Sequence, residues 1–281
     1  MTCLKAYPLW WRQDCEVYSV QFPVQEQIED TLQIVKNGMT YTLPTAWSLS
    51  DAGSYDFNSK IEDRAFSHGG DVVGDGLVKG HSIKVKFSVQ ADTETEHDEV
   101  LNLACRYFCQ TDYKLYCGRL DRCFNVAGVS KISHEYQKGF KQRRSNMTMT
   151  LLLADPFRYQ GQESKVVYEF LEDVVKAPMI VHNLGSVDTP LTFRLIPKQK
   201  MAAITIWHEE LKKQMKLSDA LLISPHRAIV NTKEGTVWRD NANSINTFSG
   251  QFLSAIPGKN TLYYTGGAGR IEVTFTNRWF L

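Results

Sequence analysis

The strongest constraint on this chain is its hydrophobic period. Over most of its length apolar and polar residues alternate in short runs, and the runs are separated by Gly, Pro, Asn and Asp clusters. A two-residue period presents one apolar face of an extended strand, whereas a helix needs a period near 3.6. The chain therefore reads as mainly β. Ile83, Val85, Phe87 and Val89 point one way and Lys84, Lys86 and Ser88 the other, the pattern of a half-buried strand. In Leu32–Leu43 two alternating runs meet at Asn37-Gly38, residues that accept positive φ at both central positions of a tight hairpin turn.

One stretch breaks the period. Asp92 or Thr93 can cap a helix, and Glu94, Glu96, Asp98 and Glu99 suit the positive end of its dipole. Val100, Leu103, Ala104, Tyr107 and Phe108 then recur at helical spacing, which predicts an apolar stripe packed on a sheet. The Gly-rich stretch Phe66–Gly76 lacks the G-x-x-x-x-G-K-[ST] spacing of a phosphate loop and is followed by a strand, so it reads as a flexible loop. Strands are expected at Tyr113–Cys117, Arg122–Val126, Val129–Tyr136 and Met147–Leu153, the last two joined by a basic tip, Lys138–Arg144. Asp155-Pro156-Phe157 ends this part, because Pro156 has no donor for a ladder.

Polar Gln160–Ser164 is the expected boundary between a first domain, 1–159, and a second, 160–281. Beyond it short runs recur at Val166–Phe170, Met179–His182, Leu191–Ile196, Ala203–Trp207, Ala220–Ile223, Ala228–Val230, Thr236–Trp238, Thr261–Thr265 and Arg270–Thr276. Many short strands with regular turns indicate a β-sandwich.

Charge and chemistry narrow the function. The net charge of +1 gives no whole-chain attraction to nucleic acid or anionic membranes. No window approaches a membrane span, and Lys5, Arg12, Asp14 and Glu16 interrupt any export signal, so cytoplasmic synthesis and reduced cysteines are expected. Cys105, Cys109, Cys117 and Cys123 cluster, with Cys105 and Cys109 one helical turn apart. They are weak candidates for a metal, because paired C-x2-C spacings are missing, and small buried hydrophobes is the simpler reading. No H-E-x-x-H or G-x-S-x-G motif occurs, so no catalytic site and no cofactor are expected. Trp207 and Trp238 are candidate sugar contacts, since an aromatic ring pairs an apolar face with polar neighbours, here Asn241, Asn243 and Asn246 beside Trp238. Closing a sandwich edge is the competing reading for Trp207. The basic tip, with Lys141, Arg143 and Arg144, suits phosphates, but a charge cluster on a hairpin end is usually just solvated; in a ring assembly it suits an acidic neighbour or the DNA channel.

Taken in order, the motifs carry more than any one of them. They are the hairpin, the Gly-containing loop, one acidic-started helix, an apolar strand ending in Asp155-Pro156-Phe157, Asn183-x-Gly185, and Thr189-Pro190-Leu191. After these come Phe252-Leu-x-x-Ile256-Pro257-Gly258-x-Asn260 and a last strand, Ile271–Phe275, followed by Arg278-Trp279. From about Asp30 onward this resembles the distal tail (Dit) protein family of siphophages. The resemblance implies an N-terminal barrel-like belt domain with one α-helix that forms a hexameric ring, and a C-terminal galectin-like β-sandwich outside it. It also implies a non-catalytic virion protein at the tail tip, assembled in the host bacterial cytoplasm. Its partners would be itself, the tail tube protein, the tail hub protein and receptor-binding or adhesion proteins, without sequence-specific nucleic-acid binding or membrane insertion. The alternative function is a carbohydrate-binding β-sandwich acting in host recognition. Trp10-Trp11 and the segment Arg278–Leu281, with Trp279, are expected to be covered by a neighbouring subunit.

Overall fold

In the computed structural model, residues 31–44 and 47–280 are described. Trp10, Trp11, Cys3, Cys15 and Leu281 lie outside them. The described chain is mainly β with one α-helix, as the alternation predicts.

The first unit packs two sheets around one core. A six-stranded sheet runs in the spatial order Met39–Thr42, Leu32–Lys36, Tyr113–Cys117, Arg122–Val126, Arg158–Gln160, Arg278–Trp279. A four-stranded sheet runs Ser48–Asp51, His81–Gln90, Arg144–Leu153, Gly128–Tyr136. Asn37 and Gly38 adopt φ of 51° and 77°, and Lys36 pairs Met39 across them, which is the tight turn expected. Ile83, Val85, Phe87 and Val89 are all buried, and Trp47 stacks on Phe87 at 4.3 Å in the same core.

Helix Glu94–Phe108 is capped by Thr93, whose hydroxyl accepts from the Glu96 amide while Glu96 reaches back to the Thr93 amide. Its inward face is His97, Ala104 and Phe108, flanked by Val100, Leu101 and Cys105. The expected stripe placed Leu103 there, but Leu103 is exposed. At ~100° per residue it sits a quarter turn away from Ala104, so both cannot face the sheet.

The Gly-rich stretch is a loop only as far as Gly69. Gly70–Val78 is a strand paired with Phe57–Asp63, and the register slips between Phe57 and Ser59. Gly74 sits at φ 134°, and a Cβ there would lie 2.0 Å from the Asn58 carbonyl. Glycine inside a strand commonly marks such a bulge. This hairpin forms a two-stranded sheet of its own.

The second unit is two facing antiparallel sheets. One runs Ser164–Phe170, Gly269–Phe275, Thr192–Pro197, Ala228–Asn231, Thr236–Arg239, Ala242–Asn243. The other runs Val174–Asn183, Gly258–Gly266, Ala203–His208, Lys213–Ser218, Phe248–Gly250. Met179, Phe193, Ile206, Leu262, Tyr264 and Val273 are among the side chains of a continuous core that is separate from the first. The run Ala220–Ile223, expected as a strand, is a turn with a single bridge from Ile223 to Lys200, and Lys213–Ser218 is an additional strand.

Candidate assembly surfaces

The four-stranded sheet is two-faced. Opposite its core side it carries Lys84, Lys86, Ser88, Asn146, Thr148, Ser133 and Glu135. Ser48, Lys86, Thr148 and Ser133 share one row across the strands and help to line a depression of about 580 Å3. The Ser88 hydroxyl donates to Asn146 Oδ1 at 2.7 Å, and Lys84 pairs with Asp51 at 3.0 Å. That pairing, chiefly the hydrogen bond from Lys84, holds the Asp51 carboxyl below its ordinary range. Thus a broad sheet face is hydroxyl-rich, carries both charge signs, and is left to solvent.

Strands Gly128–Tyr136 and Arg144–Leu153 are joined by the basic tip. Lys141 and Gln142 sit at φ of 44° and 60°, and Arg143 donates to the Asp92 carbonyl at 3.0 Å. The Arg144 guanidinium lies 5.1 Å from the Phe140 ring centre. Lys138 and Lys141 are exposed.

The C-terminal aromatic segment packs, half-buried, against its own chain, and its strand stands at an edge of the six-stranded sheet. Arg278–Trp279 adds a strand to Arg158–Gln160 of the first unit, although residue 278 follows the last strand of the second. The Asn277 side chain donates to Gln160 Oε1 at 2.6 Å and accepts from the Leu184 amide at 3.0 Å. The Ser186 amide donates to the Arg278 carbonyl at 2.9 Å. Trp279 lies under Arg122 at 4.2 Å, and its indole N–H reaches the Leu184 carbonyl at 3.1 Å. Phe280 packs edge-on against Phe157 and Tyr55. Arg278 lies over Phe157 and pairs with Asp155 at 3.7 Å, and the Tyr159 hydroxyl also donates to Asp155. The motifs Asp155-Pro156-Phe157, Asn183-x-Gly185 and Arg278-Trp279 are therefore parts of one junction. Gly185 is required there, since a Cβ would meet the Arg278 carbonyl oxygen at 2.2 Å.

A second polar cluster fixes a corner of the sandwich. Buried Asn260 donates to the Ile256 and Gly258 carbonyls at 2.8 and 3.0 Å and accepts from the Ile256 amide at 2.8 Å. His208 is also buried, with Nε2 3.0 Å from Asn260 Oδ1 and Nδ1 accepting from the Leu211 amide. That arrangement leaves Nε2 as the protonated nitrogen. Burial lowers the His208 pKa despite these partners.

The two candidate tryptophans lie on different outer faces. Trp207 is half-buried opposite Tyr263 and donates to Glu209 at 2.8 Å. Trp238 is exposed, paired with Asn243 at the margin of the other sheet. On that same sheet Glu272 is buried among Lys165, Arg194 and Arg270, and the hydrogen bond from Lys165 chiefly holds its carboxyl low.

The cysteines do not converge. Cys105 and Cys109 share the helix end, Cys117 and Cys123 lie in neighbouring strands, and all four are free thiols. Burial raises the Cys109 and Cys123 thiols and pushes Cys117 up to about 12. Among the described residues no three or more His, Cys, Asp or Glu side chains gather as a metal site.

Comparison with known proteins fits the ordered motifs. Residues 184–279 match the family described as siphovirus-type tail component, C-terminal domain. A similar solved structure is the crystal structure of the Dit protein of phage SPP1, described as a paradigm of the hub adsorption apparatus in phages infecting Gram-positive bacteria. It superposes with a TM-score of 0.66 over 88% of this chain and 98% of that one, at 16% identity. No curated protein matches the chain. The resemblance to the siphophage distal tail family is thereby borne out, by the family match over the second unit and by the shared fold over most of the length.

Proposed function

We propose that the chain is a non-catalytic virion protein that closes the distal end of a long phage tail as a six-fold ring, with residues 1–159 forming the ring and residues 160–281 a galectin-like sandwich outside it. The observation that carries this reading is the likeness of fold to the SPP1 hub protein across 88% of the chain. The geometry of the first unit supports it. Its four-stranded sheet has a buried face under the helix and, opposite, an exposed polar face that suits the wall of an aqueous channel. The edges of that sheet, Ser48–Asp51 and Gly128–Tyr136, each lack a partner on one side within the sheet. Unpaired edges are a liability in a monomer and an interface in a closed ring. A net charge of +1 keeps repulsion between identical subunits small.

In this role one rim of the ring meets the tail tube protein and the other the tail hub, and adhesion proteins attach outside, with assembly in the host cytoplasm. Lys141, Arg143 and Arg144 then serve at a subunit contact or the channel. Trp279 acts from within the chain by tying the sandwich to the ring. Negative-stain microscopy of the purified full chain tests the reading. Six-fold rings with a central opening are expected, and particles without an opening at micromolar concentration would count against it.

A further inference from the structure

The hairpin Phe57–Val78 pairs with neither of the first unit's larger sheets. All seven residues of Phe57–Asp63 are exposed, and so are Asp71 to Leu77 of the returning strand. Six large apolar side chains, Phe57, Ile61, Phe66, Val72, Val73 and Leu77, stand in solvent. Ile61 and Val72 are direct cross-strand partners, so they form one apolar patch on a single face. A lone two-stranded hairpin is at best marginally stable in water, and a patch of this kind normally has an occupant. Among the described residues its side-chain ion pairs stay internal, as Lys60–Glu62 and Arg64–Asp71, and at its root Phe57 lies 6.2 Å from Phe280.

Its tip has a second unusual property. Phe66 is fully exposed and adopts φ 65°. A bulky non-glycine residue is rarely left-handed, and such strain concentrates where a side chain must be presented to a partner.

Charge identifies the partner. From Asp56 to Lys79 the hairpin holds Asp56, Glu62, Asp63, Asp71 and Asp75 against Lys60, Arg64 and Lys79, a net of −2. The tip from Gln137 to Arg144 holds four cations and no carboxylate. The two features lie at opposite ends of the same sheet: Gln90 pairs with Arg144 beside the basic tip, while His81, just after the hairpin, pairs with Leu153. A ten-residue strand separates them by roughly 33 Å. A hairpin strand of nine residues spans a comparable distance, about 30 Å. Complementary features rooted at opposite ends of one sheet suit a head-to-tail contact between copies.

We propose that residues 57–78 form an arm that docks on the basic tip, residues 138–144, of a second copy of this chain, with Phe66 as the anchor against Phe140, Arg143 and Arg144. Exposed Phe140 supplies the aromatic surface, and the arginines supply cation–π and ion-pair partners for the arm. The inference rests on the ring reading in taking the second copy as a ring neighbour.

The test uses the full chain with Phe66 replaced by a photo-crosslinking benzoylphenylalanine, mixed equally in unlabelled and nitrogen-15-labelled forms. Irradiation followed by mass spectrometry should give crosslinks joining light to heavy chains and mapping to the peptide around 138–144. In parallel, Lys138→Glu with Lys141→Glu should weaken assembly at least tenfold, and adding Glu62→Lys with Asp63→Lys to the same chain should restore it. Crosslinks confined within one chain, crosslinks mapping elsewhere, or a charge swap that restores nothing would each overturn the arm. Closed rings crosslinked elsewhere would leave the ring standing without the arm, whereas crosslinks to the tip in open dimers would leave the arm standing without the ring.

Discussion

Gly185→Ala is the sharpest probe of how the two units are joined. The added methyl would lie 2.2 Å from the Arg278 carbonyl oxygen and 2.8 Å from the Arg278 amide nitrogen. Both are backbone atoms held in a strand, so neither yields by a side-chain rotation. Relief requires the segment 277–280 to move off the 184–186 loop by about an ångström, which is enough to break well-formed hydrogen bonds. At stake are the bonds Leu184 N to Asn277 Oδ1, Ser186 N to the Arg278 carbonyl, Trp279 Nε1 to the Leu184 carbonyl, and Phe280 N to Ser186 Oγ. At a net of ~1 kcal/mol each, with partial re-satisfaction by water, and with overpacking costs of ~1–3 kcal/mol, the expected loss is about 3 kcal/mol. Urea denaturation followed by far-ultraviolet circular dichroism measures it. Gly128→Ala is the control, because its methyl meets no atom nearer than the Thr111 methyl at 3.9 Å. It should change stability by less than about 0.5 kcal/mol. A Gly185→Ala variant as stable as this control would refute the idea that the junction is a tight backbone clasp.

Three further outcomes follow from the same packing. Asn260→Ala should cost about 3 kcal/mol or more in thermal melts, because it strips partners from the Ile256 amide and the Ile256 and Gly258 carbonyls at a buried corner. Burial holds His208 below its ordinary value of 6.5, so the unfolded chain takes up the proton first. The stability contributed by the neutral ring is complete above pH 6.5 and declines as pH falls below it. His208→Gln should flatten the fall in melting temperature between pH 7.5 and 5.5, and an unchanged slope would exclude His208 as its source. On the helix, Leu103→Ala should cost less than about 1 kcal/mol, while Ala104→Leu should cost ~1–3 kcal/mol by overpacking a site with no free surface. The reverse order in denaturation midpoints would mean that the helix docks on another face.

How far these features were legible in the sequence depends on whether the signal is local. The Asn37-Gly38 turn, a helix start at Asp92 or Thr93 and the strand His81–Gln90 depend on neighbours in sequence and are legible there, whereas the choice of Thr93 with Glu96 as its partner is set by the structure. The strand Lys213–Ser218 was not legible, because Met215 and Leu217 are its only apolar residues and lysines surround them. Its place is set by pairing with Ala203–His208. Phe66–Gly76 read as a loop because glycine lowers strand propensity, yet Val72 and Val73 pair with Ile61 and Lys60 once the chain turns back. Leu103 and Ala104 both fit an apolar helix pattern, and only the sheet beneath decides between them. The junction was the least accessible part. Asp155-Pro156-Phe157, Asn183-x-Gly185 and Arg278-Trp279 were each visible as motifs, but their meeting is a product of topology. The packing of Arg278–Trp279 on Arg158–Gln160 follows from topology, since more than a hundred residues separate the two strands.

The most direct measurement of the central claim is the mass of the native full-length assembly, by native mass spectrometry or sedimentation across micromolar concentrations. A closed ring predicts a single species at six times the 32.1 kDa chain mass, with a sharp step from monomer to hexamer and no growth beyond it. A strict monomer throughout the range, or a ladder of species growing without limit, would contradict it.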